Sequence, residues 1–401
     1  MNDAIKIIPS GGVTSPKGFC AGAVAAGIKK KVAGALDLAI LSAGKPVPAA
    51  GVFTRNVFRA APVILSEKRL ERGRIAAVIV NSGCANASTG EAGYRDAEVM
   101  AMMAARRFGL EPEDVIVAST GVIGQRLPME KIEDGIKRLN CTPEGGKDFA
   151  RAIMTTDTAP KEIAVSADNF ILGGCAKGSG MIHPDMATML AFITTDAAVD
   201  AIFLKQVLKN ASDASFNMLT IDGDTSTNDM ALVMASGAAG GDIITASSAK
   251  AELFQQALTT VCIELAKMIA KDGEGATRRI EVIVKGATCL EDARKVARTI
   301  AGSSLVKTAI HGTDPNWGRI MAAAGRSGAY IEPEKATLEM GGACLFRHGV
   351  PQPFNRVEIS NNLCRDEVFI ILDLGLGNSQ ATAWGCDLTK EYVTINADYT
   401  T

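Results

Sequence analysis

Three short apolar segments, KEIAVSAD, NFILGGC and TMLAFITTDA, fall between residues 161 and 197, the last two separated by a glycine-rich stretch. Runs of this length, rich in β-branched residues and bounded by turn formers, read as neighbouring strands of a buried sheet. A chain holding such a set must find cover for both faces of that sheet, which limits the architectures open to it. The same pattern recurs at AAVIVNSG (76–83) and VIVAST (115–120), separated by a helical stretch around EAGYRDAEVMAMMAARRFG, and later at RRIEVIVKG, DEVFIILDLG and EYVTINADY. Helical spacing governs AIFLKQVLKNASDASF, AKAELFQQALTTVCIELAKMIAK up to Asp272 and Gly273, and LEDARKVARTIAG. The expectation is an α/β (α+β) chain of layered sheets with helices packed over them, and a mixed sheet fits as well as a parallel one. At 401 residues and 47% hydrophobic, the chain can bury two cores or one large layered one. No repeat, low-complexity tract or Pro/Ser-rich linker marks a domain boundary.

Composition removes several function classes. The net charge of -2, from 42 basic and 44 acidic residues, supplies no field to attract nucleic acid or an anionic membrane. Aromatic residues make up 5%, too few for base-stacking platforms. The start, MNDAIKIIPSGG, lacks a basic region followed by an apolar run, and no stretch approaches a membrane span, so a cytoplasmic protein is expected. Nine scattered cysteines, never spaced as CxxC, argue against a zinc site or a disulfide framework and for reduced, mostly buried thiols. The three histidines, His183, His311 and His348, leave few places for a histidine base or a metal site, so catalysis would need another base.

Residues 173–197, GGCAKGSGMIHPDMATMLAFITTDA, carry the most chemistry. Gly173, Gly174, Gly178, Gly180 and Pro184 precede Ala187 and Thr188, and a strand-like run follows directly. A threonine hydroxyl is a weak nucleophile at neutral pH and needs a base within hydrogen-bond reach. An N-terminal threonine carries its own, because its α-amine, with a pKa of about 7.7 to 8.0, is partly neutral at pH 7. Exposing that amine requires Thr188 to attack the Ala187 carbonyl, giving an ester that water hydrolyses, and a strained glycine-rich approach would hold the reacting atoms together. Spacing alone leaves two readings open: a self-processing nucleophile, or an ordinary glycine loop ahead of a strand.

The segment KGSGMIHPDMATMLAFITTDA resembles the signature of the glutamate N-acetyltransferase/ornithine acetyltransferase family of arginine biosynthesis. The resemblance extends in order through NSGCANASTG (81–90), STGVIGQ (119–125), IMTTDTAPK (153–161), KDGEGATR (271–278), HGTDPNWGRI (311–320) and YVTINADYTT (392–401), so it covers essentially the whole chain. It implies a fold similar to that of self-processing aminopeptidases. It also implies cleavage between Ala187 and Thr188 into an α fragment (1–187) and a β fragment (188–401), assembled as a heterotetramer of two of each. Thr188 would be the nucleophile, and Thr120 and Gly121 the oxyanion hole; a simple turn is the ordinary reading of Ser-Thr-Gly after a strand. Substrate contacts would fall on Thr155, Lys177, Thr188, Glu274, Asn396 and Thr401.

The implied reaction is ping-pong transfer of acetyl from N2-acetylornithine to glutamate, releasing ornithine and N-acetylglutamate, with no metal or organic cofactor. Acetyl-CoA enters only as a second donor, which would make the enzyme bifunctional. Both substrates carry an α-carboxylate suited to Lys177, and ornithine adds an ammonium suited to Glu274. Taken alone, each of these two residues would read as a solvated surface charge. Asn396 and Thr401 would be loose tail by default, but the alternation in YVTINADY suggests a strand that ties the C-terminus down.

Two rivals keep the same fold: an amidohydrolase or aminopeptidase in which water replaces glutamate, and a non-catalytic small-molecule binding protein that never cleaves. Other motifs carry less. ILDLGLGNSQA (371–381) offers Gly375 and Gly377, but Gln380 stands where a dinucleotide loop needs a third small residue, and no GxxxxGK[ST] loop exists. His311 reads as a loop histidine satisfying turn backbone, and Cys84 as a small buried residue rather than a nucleophile.

Overall fold

The structure is a computed structural model and describes residues 4–29, 34–183 and 189–398; Ala187, Thr188 and Thr401 lie outside the described residues. The first half of the chain forms β1 (Ile5–Ile7), β2 (Cys20–Val24), β3 (Leu38–Phe53), α1 (Ala61–Leu70), β4 (Arg74–Cys84), α2 (Gly90–Phe108), β5 (Val115–Val122), α3 (Met129–Arg138), α4 (Gly146–Ala152), β6 (Lys161–Ala167) and β7 (Phe170–Lys177). Next come β8 (Leu190–Thr195), α5 (Ala201–Ala214), β9 (Met230–Ala235), α6 (Ala251–Lys271), β10 (Arg279–Ala287), α7 (Leu290–Ala301), α8 (Ser304–His311) and α9 (Trp317–Gly325). The chain closes with β11 (Thr337–Met340), β12 (Ala343–Arg347), β13 (Val350–Pro351), α10 (Arg356–Leu363), β14 (Glu367–Asp373), β15 (Ser379–Cys386) and α11 (Lys390–Asp398).

Nine strands join in the order β1-β6-β7-β8-β9-β3-β4-β5, with β2 also paired to β3. The sheet is mixed: β4 and β5 run parallel, as do β8 and β9. The long β3 belongs to two halves, because Leu38–Ser42 pair with β2 and β4 whereas Ala49–Phe53 pair with β9, and the register shifts between Ser42 and Val47. The two halves face each other. Ala39, Leu41, Val78, Val80, Ile116 and Ala118 of one share a core with Cys175, Phe192, Leu232 and Met234 of the other, and α4 adds Phe149, edge-on to Phe192 at 5.2 Å.

The alternate residues of the same strands point outward. Leu38, Ile40, Ala77, Ile79, Val115 and Val117 pack under α2 and α3, and Ala191, Ile193, Ala231 and Val233 pack under α5 and α6. The continuous apolar runs are thus period-2 strands serving two cores at once, and a one-residue slip would exchange their partners. The resulting order is helices, sheet half, sheet half, helices. A six-stranded sheet, β13-β12-β11-β14-β10-β15, is covered by α7 and joins the same core as α5 and α6. This architecture is the layered α/β arrangement expected from the sequence.

Two local expectations are corrected. The described part of YVTINADY, 392–398, is not a strand: it lies in α11, whose inward positions are Tyr392 and Ile395, three apart, while Val393 is exposed. Among the described residues this segment pairs with no strand, and helical spacing prevails. His311 is not a loop residue but ends α8, where its Nδ1 lies 3.0 Å from Oδ2 of the buried Asp387. Gly375 and Gly377 turn β14 into another strand, β15, not into the helix a dinucleotide site requires. Cys84 is buried in β4, and none of the nine cysteines, all among the described residues, is in a disulfide. No helix among the described residues is long and apolar enough to cross a membrane.

Candidate active site

A cleft with a cavity volume of about 150 Å³ opens where the C-terminal ends of β5 and β7 meet the N-terminal ends of β8 and β9. Its lining brings together Thr120, Gly121, Thr155, Lys177, Glu274 and Asn396, six of the residues expected from the sequence. Thr188 and Ala187 lie outside the described residues, but Met189 and Leu190, which follow them in sequence and lead into β8, are in the cleft wall.

The Thr120–Gly121 corner is shaped by backbone crowding. The parallel register of β4 and β5 holds from Ala77 opposite Val115 to Ser82 opposite Thr120, then shifts between Gly83 and Cys84. Gly121 adopts φ +127°, and a Cβ there would sit 2.6 Å from the Cys84 nitrogen, so only glycine fits. Asn228 fixes the same corner from the other side of the fold: its Nδ2 donates to the carbonyls of Ala85 (2.6 Å) and Ser119 (2.9 Å), and its Oδ1 accepts from Thr227 Oγ1 (2.7 Å). Ser119 Oγ in turn donates to Asn81 Oδ1 at 2.6 Å. The backbone around Thr120 is therefore held without substrate, as a preorganised donor site requires.

Lys177 ends β7, and Glu274 lies in the turn after α6; both are 8% exposed, so neither is a solvated surface charge. Burial lowers the pKa of Lys177, while Asp157, Asp229 and Glu274 oppose that shift. Asp157 lies beneath. It accepts from the N–H groups of Thr155 (2.9 Å) and Gly178 (2.6 Å) and from Lys161 Nζ (2.6 Å), which also pairs with Asp272 (2.6 Å). Burial pushes the Asp157 carboxyl up, but the ammonium groups of Lys177 and Lys161 and the Thr155 N–H outweigh it, holding the group well below the usual carboxylate range. One carboxylate thus places Thr155, Lys177 and the strand end together.

Glu274 donates its N–H to Ser179 O (2.8 Å) and accepts from Asn396 Nδ2 on α11 (2.8 Å). Gly180 lies directly against this carboxylate, leaving no room for a Cβ. The glycine-rich stretch is thus less an open arm than a set of close approaches, and Gly173 and Gly174 belong to β7 itself.

Both flanks of residues 184–188 are tied to one loop. Upstream, Asp222 accepts from the N–H groups of Met181 (2.6 Å) and Ile182 (2.9 Å), Ile221 N–H donates to Ile182 O (2.7 Å), and Thr225 Oγ1 donates to His183 O (2.7 Å). Downstream, Met230 N–H donates to Met189 O at 2.9 Å. Tyr392 adds its O–H to Asp222 Oδ2 (3.3 Å), linking α11 to the same loop.

The sequence reading missed Asp157, Asp222, Asn228, Asp229 and Tyr392. A signal for four of them existed: IDGDTSTND sets polar side chains immediately before the fully buried strand MALVMA, and TTDTAPK does the same before β6. Among the described residues no group of three or more His, Cys, Asp or Glu side chains could hold a metal. Asp157, Asp229 and Glu274 act on Lys177, and Asp222 and Asp224 line the same cleft, a set of charges that suits a ligand bearing both an ammonium and a carboxylate.

Comparison with known proteins gives a consistent neighbourhood. Residues 20–401 match the ArgJ family. The arginine biosynthesis bifunctional protein ArgJ of Dehalococcoides mccartyi is 54% identical over 405 residues, 100% of each chain. A crystal structure of the arginine biosynthesis bifunctional protein of Bacillus halodurans is 45% identical with a TM-score of 0.50, over 51% of this chain and 97% of that chain. An ornithine acetyltransferase of Mycobacterium tuberculosis, solved in complex with ornithine, is 45% identical with a TM-score of 0.44, over 46% of this chain and 100% of that chain.

Proposed function

Since the chain belongs to the ArgJ family, we propose that it transfers acetyl from N2-acetylornithine to glutamate through an acetyl ester on Thr188, freed by cleavage after Ala187. The observation that carries this reading is the convergence of Thr120, Gly121, Lys177 and the Glu274–Asn396 pair at the head of β8, the strand that Thr188 precedes in sequence. The solved Bacillus halodurans chain is matched over 97% of its length by 51% of this one, a proportion that accords with a polypeptide divided near its middle.

In the processing step Thr188 Oγ attacks the Ala187 carbonyl, the C–N bond breaks, and water hydrolyses the ester. The freed α-amine then takes the Oγ proton as Thr188 attacks the acetyl carbon. Thr120 and the Gly121 N–H stabilise the tetrahedral oxygen, each donor by roughly 3 to 4 kcal/mol. Collapse breaks the acetyl C–N bond, and ornithine leaves with that proton. Glutamate enters the same cleft, its α-amine attacks the ester carbon, and the proton it loses returns through the α-amine to Thr188 Oγ. Lys177 holds the α-carboxylate and Glu274 the side-chain ammonium of ornithine, with Thr155 and Asn396 setting their positions. Thr401 completes the substrate contacts in this reading.

No cofactor takes part, and acetyl-CoA is a second donor to the same threonine. The product fragments, 1–187 and 188–401, pair as an α2β2 assembly in the cytoplasm. Denaturing mass spectrometry should show two fragments for the wild-type protein and one intact chain for Thr188→Ala, which should also lack acetyl transfer. An uncut wild-type chain overturns the proposal. Release of free acetate in place of N-acetylglutamate would favour the hydrolase reading, and acetyl-CoA as sole donor tests bifunctionality.

A further inference from the structure

Asp229 immediately precedes β9 and lines the cleft, yet it is only 3% exposed. The Ser226 and Thr54 hydroxyls lie near its carboxyl, but Thr54 Oγ1 donates to Ser226 O (2.8 Å); among the described residues Oδ2 has no partner and no lysine or arginine comes within salt-bridge distance. Of the charged groups, Lys177 from β7 acts on it; Asp222 and Asp224 from its own loop, Glu274 from the turn after α6 and Tyr392 from α11 line the same cleft, with Asp157 behind Lys177. Lys177 is shared among Asp157, Asp229 and Glu274. A buried carboxylate with an empty acceptor edge and no contacting cation is an uncompensated charge costing several kcal/mol, whereas the same group as an acid has a proton to donate. Burial pushes the Asp229 carboxyl well up, further than Ser226, Lys177 and Thr54 pull it down.

We propose that Asp229 is a further substrate-contacting residue of this cleft, a carboxylic acid whose O–H donates a hydrogen bond to an oxygen of the acyl donor or its acceptor. A substrate carboxylate entering among Asp222, Asp224 and Glu274 needs donors beyond Lys177, and a neutral Asp229 supplies one where an ionised Asp229 would repel. Activity therefore declines on the alkaline side as Asp229 loses its proton. The identity of the substrate rests on the acetyl-transfer reading above; the protonation of Asp229 does not.

The test uses the processed enzyme and two variants, Asp229→Asn, which keeps an N–H donor but cannot titrate, and Asp229→Leu, which has no donor. Without substrate at neutral pH, infrared difference spectra of wild type against Asp229→Asn should show a protonated-carboxyl C=O band that disappears as pH rises. Asp229→Asn should keep kcat/KM within about tenfold of wild type and lose the alkaline decline. Asp229→Leu should lose about 10- to 100-fold, the usual range for a buried hydrogen bond to a charged group. Absence of the band overturns the proposal. So does equal loss in both variants while both are cleaved and melt like wild type. If the band is present but the wild type transfers no acetyl group, the acetyl-transfer reading fails instead. The donor role is then read from glutamate binding by calorimetry, expected to be about 10- to 100-fold weaker in Asp229→Leu, and equal binding by all three proteins overturns it.

Discussion

Asp157 is the residue on which stability and site geometry meet. It is buried, paired with the buried Lys161, and fixes the backbone of Thr155 and Gly178. Removing its charge leaves Lys161 with Asp272 alone, so Asp157→Asn should destabilise the fold by about 3 to 5 kcal/mol, the usual consequence of breaking a buried pair. The pH dependence has a definite sign. Its folded pKa is depressed, so its contribution is fully present above the unfolded value of about 3.9 and is lost as pH falls below it. Thermal melts between neutral pH and about pH 3 should show the wild type losing more stability than Asp157→Asn over that window. A parallel pair of curves would show that Asp157 is not the group being titrated.

Two glycines of the cleft, Gly121 in β5 and Gly180 in the loop after β7, make opposite predictions, because what surrounds each one differs. At Gly121 the atoms in the way are backbone and φ is positive, so Gly121→Ala should lower both stability, by about 1 to 3 kcal/mol, and kcat, as the β4–β5 ends are forced apart. At Gly180 the obstacle is the end of the Glu274 side chain, which can swing aside, so Gly180→Ala should melt like wild type but raise KM for N-acetylornithine severalfold. Equal effects of the two changes on melting would refute this distinction. The strands β4 to β8, β10 and β14 and helices α5 to α7 were legible in the sequence because long apolar runs admit few alternatives, while β9 (MALVMA) was not read. The helix α11 was not, since YVTINADY fits either period and only its contacts through Tyr392 and Asn396 decide. Lys177 and Glu274 were found through the motif, whereas the polar runs before β6 and β9 do not say which of their side chains turn into the cleft: Asn228 acts through Ala85 and Ser119, 143 and 109 residues away, Asp229 through its burial, and Asp157 through the fold that brings Gly178 over it.

At the scale of the whole molecule, a cut after Ala187 would not separate two domains. The strands that follow the cut, β8 and β9, lie in the middle of the nine-stranded sheet between β7 and β3, both of which precede it. Six registered residue pairs join β7 to β8, from Leu172 opposite Thr195 to Lys177 opposite Leu190, and five join β3 to β9, from Ala49 opposite Met234 to Phe53 opposite Met230. The core between the sheet halves is also shared, with Phe149 packed on Phe192 across the cut. Separation would expose both a sheet interior and that core, and the ladder hydrogen bonds would be lost on top of the apolar burial. The fragments should therefore co-elute on gel filtration in native buffer and resolve only in denaturant. They should also regain activity poorly when refolded from separated pools, since neither contains a complete sheet to template the other. Fragments that part on simple dilution would mean that the observed strand order is not that of the processed protein.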